Sequence, residues 1–189
     1  FHQRGKIMDQ NLDILERLWT EDKITAEYPP HKLRSAAMFP KPQQQPRPPI
    51  LIGGYADRVL KRVATRSDGW LTYCYTATSY AEDKARILQF AEEAGRDPPA
   101  LSFTNQLPIG IGPREKMEGP MMEWLNTEWD FASWSKSTAD SAIIGTVDEC
   151  AEQLRAHFEK GLDRLVFMPY RYQDEQVEAI AKELIPLLG

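Results

Sequence analysis

The chain contains few residues of the types that hold metals or cross-links, with two cysteines and three histidines among 189 residues. Cys74 and Cys150 are far apart in the sequence and neither belongs to a CxxC pair. This spacing argues against a disulfide framework and against a structural zinc site, so we expect both thiols to pack as ordinary buried groups. His31 and His157 are expected at the surface, and no metal centre is predicted.

Long apolar runs and an excess of basic residues are also absent. No apolar run approaches the ~18 residues that suggest a membrane span, and the first residues lack the layout of a signal peptide. Lys and Arg together number 23 against 28 Asp and Glu, which gives a net charge of −5. The basic residues are scattered, so neither nucleic acid nor a membrane is an expected partner. A soluble, cytoplasmic protein is expected.

Proline divides the sequence into two parts. Apolar spacing predicts an amphipathic helix over residues 6–19, followed by an extended pair over 24–28 and 31–37. The next stretch, residues 40–49, contains five of the 14 prolines and cannot be helical: Pro40, Pro42, Pro46, Pro48 and Pro49. We expect this stretch to be an irregular connection over the surface.

Beyond the prolines, strands alternate with helices. The strands are expected at residues 50–52, 70–75, 101–111 and 164–168. The helices are expected at residues 56–66, 79–94, 115–126, 147–160 and 173–187. Gly95 is suited to close the second of these helices, and Thr146 with Glu149 forms the S/T-x-x-E capping box that begins the fourth. Residues 112–142, rich in tryptophan, are expected to be a variable insertion that serves as a lid, a dimer contact or local packing.

Strands separated by crossover helices require a parallel sheet covered by helices. A flavodoxin-like open sheet is one such fold, but its phosphate loop follows the first strand of the chain, whereas this chain begins with a helix. The other is an α/β TIM barrel, (β/α)₈, whose complete form needs about 250 residues. We therefore expect residues 1–189 to be the C-terminal half of one barrel domain, containing about strands five to eight.

A glycine pair marks the first strand-to-helix turn. Gly53 and Gly54 follow the apolar residues 50–52 and precede a helix. Glycines allow the backbone to approach an anion closely, and a helix N-terminus offers free N–H groups and a positive dipole end. A plain strand-to-helix turn has the same sequence, so the pair alone leaves both readings open.

The residues around this pair resemble the bacterial-luciferase-like family of flavin-dependent monooxygenases. The similarity lies in the approach Pro46-Arg47-Pro48-Pro49, the Gly53-Gly54 turn and the later Asp68-Gly69-Trp70. Further similar motifs follow in the same order: Arg4-Gly5 before a helix ending in Leu18-Trp19, Glu92 to Pro98, Gly145-Thr146 with Glu149, and Gly161-Leu162-Asp163. The resemblance covers nearly the whole chain.

This resemblance implies an oxidoreductase, and specifically a monooxygenase that uses reduced FMN and O₂ on a small organic substrate. It implies that the backbone N–H groups of Gly53, Gly54, Tyr55 and Ala56 help to bind the cofactor phosphate. Arg58 either adds a charge-assisted contact or is a solvated helix residue. A separate flavin reductase and a second copy of the chain are the candidate protein partners. The catalytic residues of the family come largely from strands that would precede Phe1, so the resemblance assigns none within this chain.

Four side chains are candidates for the substrate pocket because they follow strand ends, where active sites of this fold lie: Tyr73, Tyr75, Tyr170 and Arg171. Packing at the barrel top is the alternative role for each. Deazaflavin-dependent relatives often carry lysines in regions that correspond to residues 73–79 and 139–146, and this chain has none there, which favours FMN. A deazaflavin-dependent hydride-transfer enzyme and a non-catalytic flavin-binding remnant are the alternative functions.

Overall fold

The structure is a computed structural model that describes residues 3–97, 101–134 and 139–189, without the side chain of Trp134. Phe1, His2 and Pro98 lie outside the described residues, as does part of the expected insertion, residues 135–138. The chain divides into two compact units, Phe1–Pro49 and Ile50–Gly189.

The first unit contains the expected helix and extended pair. Helix α1 spans Arg4–Thr20, and strands β1, Ile24–Tyr28, and β2, His31–Ala36, pair antiparallel. The end of α1 is closed by Lys41, whose Nζ donates to the carbonyl oxygens of Leu18 at 2.6 Å and Glu21 at 2.5 Å. A cation on the last carbonyls of a helix offsets the negative end of its dipole. Residues 40–49 contain neither helix nor strand, as their prolines predict.

The second unit is a parallel sheet with crossover helices. Its strands are β3 Leu51–Ile52, β4 Gly69–Tyr73, β5 Ser102–Ile111, β6 Ile143–Gly145 and β7 Arg164–Pro169. Its first helices are α2 Asp57–Arg66, α3 Ala77–Glu93, α4 Arg114–Trp129 and α5 Phe131–Trp134. Helix α6 spans Val147–Glu159, and α7 Asp174–Ala179 continues through a π-helical turn, Ile180–Leu184, into α8 Ile185–Leu188. Among the described residues, no helix is long and apolar enough to cross a membrane.

The strand order is β3-β4-β5, with β7 on β5 and all pairs parallel. Apart from the short β6, each strand lies beside the preceding one in the chain, without the reversal that defines a flavodoxin-like sheet. Residues 143–145 were not expected to be a strand, yet they pair with residues 109–111 at the end of β5. The three residues are too few to show strand periodicity in the sequence, whereas β5 extends past Tyr73 and leaves that end of the strand open to another partner.

Helices cover one face of the sheet. Trp70 of β4 is fully buried and stacks on Tyr80 of α3, with ring centroids 5.3 Å apart. On the same face, Leu107 and Ile109 of β5 pack in a buried cluster with Leu154 of α6. These contacts form the core of the second unit.

The opposite face of the sheet is only partly covered. Leu71, Tyr73 and Val166 alternate with the helix-facing residues and are 37%, 44% and 38% exposed. The register places them on one face, because Tyr73 and Val166 both lie opposite Gln106 of β5. Parallel sheets are normally buried on both faces, so this half-open apolar face is an unusual feature for such a sheet.

Local signals set the helix ends with small shifts from the predicted bounds. The Thr146–Glu149 capping box is present, and Gly95 ends α3 with a φ of 69°. Helix α3 begins at Ala77, because the Thr76 hydroxyl accepts the Ser79 N–H. Helix α4 was expected to end at residue 126 but continues through Pro120 to Trp129.

His157 corrects the expectation of a surface histidine. It lies on the inner side of α6 with only 4% of its surface exposed, and its Nδ1 has no hydrogen-bond partner among the described residues. Burial lowers the pKa of His157 from its usual 6.5 to about 4. The folded protein therefore holds this imidazole neutral.

A pH-dependent stability follows from this burial. The unfolded chain binds a proton at His157 more readily than the folded chain, so its contribution is complete above about pH 6.5 and declines as the pH falls towards 4. We expect the free energy of unfolding to fall by about 1–2 kcal/mol between pH 7 and pH 5 from this group alone. Urea unfolding of the protein and of His157→Asn at both pH values measures it. An equal loss in the two proteins would contradict the assignment.

Candidate functional site

The turn between β3 and α2, residues Gly53-Gly54-Tyr55-Ala56, requires glycine for steric reasons. A Cβ on Gly53 would lie 2.8 Å from the carbonyl oxygen of Leu71. Gly54 has a φ of 122°, and a Cβ there would lie 3.0 Å from Cγ1 of Val59. The protein's own atoms occupy the space that each Cβ would fill, and the main chain at residues 53 and 54 is bare of side chains.

The N-terminus of α2 has no side-chain cap. Its N-cap residue, Ala56, offers no oxygen in the side chain, whereas its carbonyl accepts the N–H groups of Val59 and Leu60. Uncapped N–H groups in the first turn of a helix favour an anion, and the positive end of the dipole adds to this preference. Tyr55 is 68% exposed beside them, so the turn is open to a ligand.

Trp70 holds this turn from the neighbouring strand. Its indole Nε1 donates to the carbonyl oxygen of Gly54 at 2.9 Å. The ring is fixed between Tyr80, which stacks on it, and Tyr75, which meets it edge-on at 5.1 Å. The bulky tryptophan of the Asp68-Gly69-Trp70 motif thus positions the turn backbone.

The other residues of that motif hold the opposite end of β3. The Ile50 N–H donates to a carboxylate oxygen of Asp68 at 2.7 Å, and the Asp68 N–H donates to the Ile50 carbonyl at 2.8 Å. A Cβ on Gly69 would lie 2.1 Å from the Ser102 carbonyl oxygen, so only glycine fits there. Asp68 and Trp70 thus act on the geometry of β3, whereas Gly69 allows β4 to lie close to β5.

We expect Trp70→Phe to destabilise the protein, because it leaves the Gly54 carbonyl without its donor. The loss of a buried partner of this kind costs about 1–3 kcal/mol in the free energy of unfolding. The matched control is Trp124→Phe, which shortens another buried indole that has no hydrogen bond among the described residues. Urea unfolding compares the two, and an equal loss would show that ring volume rather than the hydrogen bond decides the effect.

A chain of polar contacts links the end of β4 to the start of α2. The Tyr75 hydroxyl donates to Oδ2 of Asp83 at 2.7 Å, and Nη1 of Arg86 donates to Oδ1 of the same carboxylate at 2.6 Å. Nη2 of Arg86 donates to Asp57, the first residue of α2. Burial and the Asp83 carboxylate raise the pKa of Tyr75 far above its usual 10, so this phenol remains a proton donor. Arg58 is exposed and makes no ion pair in the described part of the chain.

The candidate pocket residues occupy different environments. Tyr73 lies on the half-open face of the sheet, whereas Tyr75 turns towards the helices to meet Trp70. Tyr170 is 8% exposed, and the Arg171 guanidinium lies 5.3 Å from the centre of its ring. The structure thus brings Tyr170 and Arg171 together in one contact.

A pocket of about 570 Å³ opens beside this second pair. It is lined by α4 and by the turn after β7: Glu123, Trp124, Thr127, Glu128, Trp129, Arg171 and Tyr172. Of the predicted pocket residues, Arg171 alone lines it. The tryptophan-rich composition of residues 112–142 is the sequence signal for the α4 side of this pocket. The acidic residues on that side, Glu123 and Glu128, were not predicted.

Trp124 packs the insertion against the turn that follows β7. It is 6% exposed and meets the rings of Tyr170 and Tyr172 edge-on, at centroid distances of 5.7 and 5.9 Å. Leu125 and Phe131 of the insertion join the same buried cluster. Local packing, one of the roles considered for this segment, is therefore present in its described part.

The cysteines carry no reactive signature. Burial raises the pKa of Cys74 to about 11 and that of Cys150 to about 12, so both thiols stay protonated at neutral pH. Among the described residues, no group of His, Cys, Asp and Glu is arranged to hold a metal ion.

Comparison with known proteins identifies related sequences. A family profile described as luciferase-like monooxygenase matches residues 1–118. An uncharacterized protein of Mycobacterium tuberculosis is 34% identical over 99 residues, which are 52% of this chain and 33% of that protein. The FMNH₂-dependent dimethylsulfone monooxygenase of Pseudomonas putida is 22% identical over 217 aligned positions, covering 98% of this chain and 59% of that enzyme.

Among solved structures, an F420-dependent secondary alcohol dehydrogenase in complex with an F420-acetone adduct superposes with a TM-score of 0.82 at 17% identity. The match covers 98% of this chain and 62% of the dehydrogenase. The second unit's parallel sheet thus belongs to an α/β fold shared with luciferase-like TIM-barrel proteins. The chain spans between a third and about three fifths of the curated relatives it matches.

Proposed function

The chain belongs to the luciferase-like monooxygenase family, and from this premise we propose that it forms the cofactor-phosphate side of a flavin-dependent monooxygenase. The enzyme uses reduced FMN and O₂ on a small organic substrate. The observation that carries the proposal is the bare, uncapped turn of Gly53, Gly54, Tyr55 and Ala56.

The residues of this turn fit a phosphate. Backbone N–H groups at the start of α2 bind the anion, and the glycines keep the approach free of side chains. Arg58, exposed on the same first turn, supplies positive charge. The bound flavin supplies the redox chemistry, while the protein orients it and excludes water. Trp70 contributes to orientation through its hold on the Gly54 carbonyl.

The remainder of the barrel is proposed to lie in a segment of the same protein that supplies strands one to four. In the described residues β3 pairs only with β4, and β7 pairs only with β5, so both outer edges of the sheet are open. The half-exposed Leu71, Tyr73 and Val166 lie on the face that would point into a closed barrel. Residues 1–189 are then part of one barrel domain.

The substrate is proposed to bind near the strand ends. The 570 Å³ pocket offers a concave site lined by three aromatic and three charged side chains, Arg171 among them, and its size lies within the usual range for small ligands. In this arrangement Tyr73 faces the barrel interior. Tyr75 packs at the C-terminal end of β4, and Tyr170 packs at the C-terminal end of β7. A cytoplasmic homodimer served by a separate flavin reductase completes the proposal.

The alternative is a deazaflavin-dependent oxidoreductase that transfers hydride. The superposition on an F420-dependent dehydrogenase favours it. The absence of lysine from residues 73–79 and 139–146 favours FMN.

Cofactor titration decides between these candidates. We expect the complete gene product to bind FMN more tightly than F420, and to consume O₂ in the presence of reduced FMN. Binding is followed by flavin absorbance and fluorescence, and O₂ by an electrode. A preference for F420 without O₂ uptake would establish the alternative, and binding of neither cofactor would reject the flavin site.

The phosphate turn itself is tested by a small substitution. Gly54→Ala places a Cβ against Val59 at a φ of 122°, which strains and displaces the turn. We expect FMN affinity to fall about tenfold or more, since each 1.4 kcal/mol is a factor of ten. The control is Gly119→Ala in α4, where a Cβ meets no atom within 4 Å. Equal FMN affinity in both variants would place the phosphate elsewhere.

A further inference from the structure

We propose that Arg86 is a positioning residue of the phosphate turn: by pairing with Asp57 it keeps the N-terminus of α2 attractive to a doubly charged phosphate. The inference rests on the proposed function, in which the flavin phosphate binds at this turn. It assigns a role to a residue of α3 that lies 29 positions from Asp57 in the sequence.

Asp57 creates the need for such a partner. It is the acidic residue in the first turn of α2, immediately after the bare turn. A carboxylate there stabilises the helix through the dipole, but it also repels a phosphate that approaches the same N–H groups. The charge that favours the empty helix therefore opposes the ligand.

Arg86 offsets the charge of Asp57, and its guanidinium is held by two carboxylates. One amino group of the guanidinium donates to Asp57, and the other donates to Asp83 at 2.6 Å. The second oxygen of Asp83 accepts the Tyr75 hydroxyl at 2.7 Å. The Asp83 side chain is only 15% exposed, whereas that of Asp57 is 75% exposed. The contact of Arg86 with Asp83 is therefore the one shielded from solvent. Tyr75, at the end of β4, thus positions Asp83, and Asp83 holds the Arg86 guanidinium next to the turn.

The charges at the turn then sum in favour of an anion. Asp57 and Asp83 carry two negative charges, and Arg86 and Arg58 carry two positive ones, so the four side chains sum to zero and the positive end of the helix dipole remains. When Arg86 is removed, the negative charge of Asp57 is no longer paired with it and offsets the positive charge of Arg58. The effect on a phosphate is a long-range electrostatic one, and it weakens as salt is added.

A purely structural ion pair makes a different prediction. Exposed pairs of this kind contribute little to folding, and a loss of fold would weaken every ligand alike. FMN and riboflavin separate the two explanations, because they share the ring system and ribityl chain and differ only in the phosphate. A role towards the phosphate alters the affinity for FMN and leaves that for riboflavin unchanged.

The experiment measures the dissociation constants of oxidised FMN and riboflavin by fluorescence titration of the complete gene product at low and high salt. The variants are Arg86→Leu, the double variant Asp57→Asn with Arg86→Leu, and the control Arg66→Leu. Arg66 carries the same charge in the last turn of α2, about 13 Å along the helix from Asp57.

We expect Arg86→Leu to weaken FMN about threefold to thirtyfold at low salt, the range for one charge near the surface, and to leave riboflavin unchanged. The double variant restores most of the FMN affinity because the opposing carboxylate is gone. The control keeps both affinities. An unchanged FMN affinity in Arg86→Leu, an equal loss for riboflavin, or no rescue in the double variant would overturn the inference. If the unsubstituted protein binds FMN no better than riboflavin, the phosphate site itself is wrong.

Discussion

The site depends on how a two-residue strand is held in place. β3 has too few residues for its own ladder to define it, and polar contacts from the next strand hold both of its ends. The Asp68 carboxylate and backbone hold Ile50 at the start, and the Trp70 indole holds Gly54 after the end. Because these donors and acceptors come from β4 and the residue immediately before it, the glycine turn takes a defined position relative to the sheet.

A similar pair of hydrogen bonds from an aspartate is present where β7 pairs with β5. The Phe103 N–H donates to the Asp163 carboxylate at 2.8 Å, and the Asp163 N–H donates to the Phe103 carbonyl at 3.0 Å. Both aspartates precede a parallel strand and hold the start of its neighbour. The N-terminal ends of the strands thus carry stabilising contacts, whereas the C-terminal ends carry the bare turn and the aromatic pocket. This division is the usual one for a barrel, in which chemistry and stability occupy opposite ends.

The sequence predicted the elements because their signals are local. Thr146 and Glu149 are three residues apart, and Gly95 adjoins the helix that it ends, so capping geometry follows from neighbours alone. The short strand β6 and the burial of His157 were missed because each depends on a distant partner: the free end of β5 for one, and the packing around α6 for the other. Nothing in the local pattern of either segment carries that information.

By itself the sequence determined the alternation of strands and helices, the family and the glycine turn, since these follow from periodicity, capping and short motifs. Only the tertiary structure decided what acts on the turn. Trp70 lies 16 residues from Gly54 and Arg86 lies 29 from Asp57, and each pair meets because parallel strands and their helices are adjacent in the sheet. Contacts of this kind are set by strand order and packing, which no short stretch of sequence encodes.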